Sequence, residues 1–79
     1  MVKYYIIQIV YHTKDGDSTP RYIAKLNKGG YPEIACSKEE ENAMRFIDYT
    51  IAFLVAKAKE HENPTAEATI IEKEGALCF

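Results

Sequence analysis

Between Lys3 and His12 the chain is apolar on both of its alternating sets of positions. Tyr5, Ile7, Ile9 and Tyr11 fill one face of an extended segment, and Tyr4, Ile6 and Val10, interrupted by Gln8, fill most of the other. Such a run predicts a strand covered on both faces, and therefore a central one. Its β-branched and aromatic residues suit a pleated sheet. The turn-forming cluster Thr13 to Pro20, with Asp15-Gly16 as the tight turn, reverses the chain into a hairpin. The second arm, about Arg21 to Leu26, alternates Tyr22, Ala24 and Leu26 against Arg21, Ile23 and Lys25. Asn27-Lys28-Gly29-Gly30 marks another reversal, and Tyr31 to Cys36 reads as a third strand, placed at an edge because Pro32 has no N–H to give to a ladder.

The period then lengthens. Ser37-Lys38-Glu39-Glu40 has the spacing of a capping box, in which the Ser hydroxyl and the Glu carboxylate each satisfy an unpaired backbone N–H. One long helix is expected from Ser37 to about Glu60–Glu62, where Asn63-Pro64 stops it. Ala43, Met44, Ile47, Ile51, Leu54, Val55 and Ala58 recur at steps of three and four, giving a stripe expected to cover the sheet. Phe46, Tyr49, Ala52, Phe53 and Ala56 lie off that stripe and widen the apolar arc beyond what one sheet face hides, which marks Phe46, Tyr49 and Phe53 as candidate interface residues. Asp48 offers an alternative N-cap, dividing the segment into a short turn, Glu39 to Phe46, and a helix from Tyr49; the undivided helix is the favoured expectation. Thr65 to Lys73 reads as a closing strand beside the first, and Gly75 releases an apolar tail whose Leu77 and Phe79 join the candidate interface. The fold class is thus α+β: a small antiparallel sheet of three to four strands, β-β-(β)-α-β, with one long helix on one face, in one domain over residues 1–79.

Composition changes this picture at few points. A chain of 79 residues supports one core, and so small a core is naturally supplemented by a partner or by a second copy, so a homodimer is left open. The net charge of −2 disfavours direct binding of nucleic acid, which calls for a local excess of Lys and Arg. The densest charge run is acidic, Glu39-Glu40-Glu41: a solvated helical turn, or else an acidic patch that imitates nucleic-acid phosphates and blocks a basic groove. No apolar run approaches the roughly 20 residues that cross a bilayer, and Met1 leads directly into the first strand without a signal-peptide pattern. With Cys36 and Cys78 too sparse for a disulfide scaffold, a cytoplasmic location with both thiols free is expected.

Phosphate-loop, dinucleotide, HExxH and paired CxxC motifs are missing from the sequence, so no catalytic, cofactor-binding or metal-binding residue is assigned, His12 and His61 are read as solvated, and the chain is expected not to be an enzyme. Cys36 keeps a secondary reading as a thiol activated by the N-terminus of the helix it precedes. Six tyrosines favour contact with a protein, since Tyr joins apolar area to a polar tip.

The order Lys3-Tyr4-Tyr5-Ile6-Ile7, Arg21-Tyr22-Ile23, and Ala43-Met44-Arg45-Phe46 leading into an Ala-rich helix resembles small uncharacterised phage and prophage proteins of low-GC Gram-positive bacteria. The resemblance spans most of the chain and implies a cytoplasmic accessory protein that acts by binding a host or phage protein. It carries over no site residue, because no defining site motif is known for such proteins.

Overall fold

The structure is a computed structural model that describes residues 2–28 and 31–75, with residues 25–28 and 31–35 described by their backbone alone. Among the described residues, five strands, one 3₁₀ turn and one α-helix follow in the order β1 (Val2–Thr13), β2 (Gly16–Asp17), β3 (Arg21–Lys28), β4 (Tyr31–Ser37), the turn Glu40–Asn42, α1 (Tyr49–Glu62) and β5 (Ala66–Gly75). All strand pairings are antiparallel. The expected α+β architecture, with a helix on one face of a small antiparallel sheet, is what forms.

β1 is central, as its two-sided apolar pattern predicts. On one edge it pairs with β5 from Val2↔Gly75 to Tyr11↔Ala66, and its other edge is shared by β2 and β3. Ile7 and Ile9 are fully buried toward the helix, and Ile6 is buried on the opposite face. The expected second hairpin arm forms as β3, and the two-residue strand β2 is added before it, inside the segment read as a turn. β2 follows the turn at Lys14 and Asp15, with Gly16 at φ +114°, a conformation that side chains disfavour. The chain pairs with β1 again only after Ser18 has exchanged bonds with Tyr11, its N–H donating to the Tyr11 carbonyl at 2.8 Å and its Oγ accepting from the Tyr11 N–H at 2.9 Å.

β3 touches β1 at two rungs, Gln8↔Tyr22 and Ile9↔Arg21, and then leaves it to pair with β4 as far as Lys28↔Tyr31. The gap this opens is filled by an extended segment. The Met44 N–H donates to the Ile23 carbonyl of β3 at 2.8 Å, while Phe46 and Tyr5 exchange both backbone bonds at 2.7 and 2.8 Å. Residues 44–46 therefore act as a short filler strand between β1 and β3.

That filler corrects the expectation of one helix from Ser37. A helical segment satisfies its backbone internally, whereas Met44 and Phe46 satisfy theirs across the gap, so they cannot belong to a helix. Ser37 does not form the predicted box; its Oγ accepts from the Glu39 N–H at 3.2 Å, and only the single turn Glu40–Asn42 follows. The true N-cap is Asp48, in extended conformation, whose carboxylate accepts from the Thr50 N–H at 2.8 Å. The division at Asp48, the less favoured alternative, is the one adopted.

The stripe is corrected with it. Ala52 and Ala56 are the buried helix residues, at 0% and 4% exposure, whereas Ile51 and Leu54 are 53% and 61% exposed. Small side chains on the sheet side let α1 lie close over Ile7 and Ile9, and Val55, Met44, Tyr5 and Ile70 close the margins of the core. Phe46, proposed for the surface, is 9% exposed and belongs to this core. Its backbone bridge to Tyr5 fixes where its ring goes. Leu77, Cys78 and Phe79 lie outside the described residues.

Candidate functional site

Three places bring together residues singled out in the sequence. The first is α1. Its outward side carries Ile51 and Leu54, continued by Ile47 just before the N-cap, all more than half exposed. On the adjoining flank, the Tyr5 ring meets Tyr49 edge to face at 5.4 Å, and Tyr49 stacks on Phe53 at 6.4 Å. An aromatic row thus climbs from the sheet onto the exposed flank, where the Lys57 ammonium lies 5.5 Å from the Phe53 ring centre. Of the candidate interface residues, Tyr49 and Phe53 are at the surface and Phe46 is not. Ile47, Ile51 and Leu54 were missed because the stripe assigned them to the core. The cue that could have found them is Asp48: a helix beginning there has Ala52 and Ala56 as its innermost small pair.

Beyond this flank, Tyr49, Phe53, Ala56, Lys57 and Glu60 of α1 and Ala68, Thr69 and Ile70 of β5 line a groove of about 290 Å³. Glu60 closes one end. Its carboxylate accepts from the Ala68 backbone N–H at 3.0 Å and pairs with Lys57 at 3.2 Å. The Ala68 bond, and after it the Lys57 contact, hold the Glu60 carboxyl below its ordinary pKa.

The second place is the acidic run. Glu39, Glu40 and Glu41 are all exposed, but their charges are not left to themselves. Glu40 pairs with Lys73 at 2.7 Å, and Glu39 accepts from Asn42 Nδ2 at 2.9 Å. Arg45, stacked 5.0 Å from the Tyr4 ring centre, shares with Glu40, Glu41 and Lys73 the walls of a shallow depression. The surface there is of mixed sign, a poor copy of a phosphate row.

The third is the strand end at His12. Its Nδ1 lies 2.6 Å from Asp17 and its Nε2 2.7 Å from Glu67, so a doubly protonated ring donates to both and ties β2 and β5 to β1. The hydrogen bond to Asp17, then that to Glu67, raises the His12 pKa above its ordinary 6.5. A raised folded-state pKa stabilises most below the unfolded value and loses that stabilisation as pH climbs through the folded one. Stability of the native protein should therefore decline above about pH 6.5, and His12→Gln should remove that part of the decline, as read from urea midpoints across pH. An unchanged slope in the variant would show that His12 is not its source. These groups do not form a metal-binding cluster, and none is present among the described residues.

Cys36 lies on β4, half-buried, with its Sγ 3.9 Å from the Tyr11 hydroxyl. Burial, and then this thiol, raise the Tyr11 hydroxyl above its ordinary value. The helix whose N-terminus was to activate Cys36 begins only at Tyr49, so that motive for a reactive thiol is withdrawn.

The site so defined is an exposed apolar helix side, with an aromatic flank and a groove beside it, on a small α+β domain. No helix among the described residues is long and apolar enough to cross a membrane. Comparison of the chain with protein-family models, curated proteins and solved structures returns no match.

Proposed function

We propose that this chain is a non-enzymatic protein-binding module of the cytoplasm, an accessory protein or inhibitor that engages a host or phage protein through the outward side of α1. The observation that carries this reading is the inversion of the helix: its small residues face the sheet and its large apolar residues, Ile51 and Leu54, face solvent together with Ile47. Among the described residues none of the three belongs to the core or packs at its margin, and neighbouring exposed apolar residues mark interaction sites. The acidic-mimic alternative is weaker because Lys73 and Arg45 sit among the glutamates.

The test is Ile51→Glu combined with Leu54→Glu, set beside Glu39, Glu40 and Glu41 all changed to Gln. Both variants should keep the native circular dichroism. In light scattering over a concentration series, and in photo-crosslinking in cells from position 47, which neither variant alters, the helix variant should lose association and the Gln variant should keep it. Retained association in the helix variant would remove the outward side as the site, and loss in the Gln variant would restore the acidic reading.

A further inference from the structure

The outer edge of β5 is a second place where this molecule is incomplete. In an antiparallel ladder the residues of a strand alternate between those bonded to the neighbour on one side and those turned to the other. Two observations fix which are which on β5. The Ala68 N–H goes to Glu60, away from β1. Tyr5, which sits opposite Glu72, spends both of its backbone groups on Phe46, on the side of β1 away from β5. The residues whose backbone groups point off the sheet are therefore Ala68, Ile70, Glu72 and Glu74. Glu60 occupies the Ala68 donor, and among the described residues no strand pairs with this edge at Ile70, Glu72 or Glu74.

The side chains along that edge are equally one-sided. Ile70 lies at the floor of the groove below Tyr49 and Phe53. Glu72 and Glu74 follow on the same face, and the cation that reaches Glu72 is Lys3, exposed and 3.8 Å away. We propose that this edge and the flank of α1 accept an extended segment of another protein as an added antiparallel strand, with basic side chains opposite Glu74 and Glu72 and an apolar one opposite Ile70. Exposed strand edges bind by this kind of addition, in which the main chain supplies affinity and alternate side chains supply choice. Glu60 sets the limit of the site by closing the ladder at Ala68.

A second copy of the chain is a poorer occupant. On the helix face β5 offers Ala66, Ala68, Ile70, Glu72 and Glu74 and no basic residue. Antiparallel self-pairing through this edge either sets glutamates directly opposite one another, which is destabilising, or sets them against Ala66, Ala68 or Ile70, and in no register does a glutamate of this face meet a basic residue of the same face. This surface is distinct from the outward side of α1, so failure here leaves the Ile51 and Leu54 result untouched, and the reverse.

The probe is the capped peptide acetyl-Lys-Thr-Lys-Thr-Val-Thr-amide, titrated into the full chain and followed by amide NMR. Saturable shifts are expected at the Ile70 and Glu72 amides. Affinity should fall at least about tenfold when the valine nitrogen is methylated, because the backbone exchange with Ile70 is lost. It should fall similarly when both lysines become glutamates. Glu72→Lys with Glu74→Lys, whose native fold is checked by its amide dispersion, should reverse that charge preference. The proposal is overturned by absence of saturation at millimolar peptide, by equal binding of the methylated peptide, or by shifts confined to Ile51 and Leu54. A dimer of the chain with Ile70 and Glu72 at its contact would overturn it in favour of self-pairing.

Discussion

Replacing Ala52 by Leu should lower the unfolding free energy by about 1–3 kcal/mol, while Leu54→Ala should move it by less than about 0.5 kcal/mol. The two substitutions are opposite in size and in site. Ala52 is fully buried over the sheet, so added methylenes must lift α1 from Ile7 and Ile9 or force strained rotamers. Leu54 is 61% exposed and contributes little to the core. Urea titrations of both variants at a common slope would read the difference in midpoints. The reverse order of effects would mean that the helix is rotated from the orientation described, with Leu54 inward.

Ile7→Ala should cost about 2–5 kcal/mol, the range for deleting a buried aliphatic side chain and leaving a partly collapsed cavity. For a chain of 79 residues the whole stability is about 4–12 kcal/mol, so this one change removes a large share of it. At several degrees per kcal/mol for a domain of this size, the thermal midpoint should drop by at least about 10 °C. The measurement is calorimetry against Val2→Ala, which sits on the same strand but is exposed and should be nearly silent. A loss at Ile7 below about 1 kcal/mol would place the centre of the core elsewhere.

β1, β3, β4 and β5 were legible because each carries a local signal strong enough to survive tertiary context, whereas β2 lies inside the segment read as a turn. β1 has apolar residues on both faces and buries Ile7 and Ile9 on one and Ile6 on the other, and β4 tolerates Pro32 as an edge strand does. The helix was legible as an element but not in its start or orientation. The S-x-x-E spacing at Ser37 is a local preference, and it yielded to a demand from far along the chain: the gap between Tyr5 and Ile23 needs the backbone of residues 44–46. Once Ala43, Met44 and Ile47 are outside the helix, the periodicity they shared with Ile51 and Leu54 has no structural meaning. Hydrophobicity also ranks Leu above Ala, whereas close packing of a helix on a sheet selects for small size. The same misreading hid part of the candidate site, since Ile47, Ile51 and Leu54 were given to the core and Phe46 to the surface. Tyr49 and Phe53 were recognisable because they lie off the assumed stripe, although Ala52 and Ala56, set aside with them, are buried. The edge of β5 had no signal in the sequence, because which backbone groups remain open depends on the register with β1.

The ladder between β1 and β5 joins the first and last described strands, from Val2↔Gly75 to Tyr11↔Ala66. Pairings between residues so far apart must overcome the entropy of closing a long loop before they return any stability, which slows folding. On the ribosome, β1 emerges with its Ile-rich segment ready to pair, yet its main partner follows only after α1. Until β5 is released, the nascent chain carries a hydrophobic strand with one edge unpaired and a helix with only part of its sheet to lie on. The interval between synthesis of Ile9 and of Ala68 is therefore when this protein is most exposed to misassociation, and a chaperone or early partner would act there.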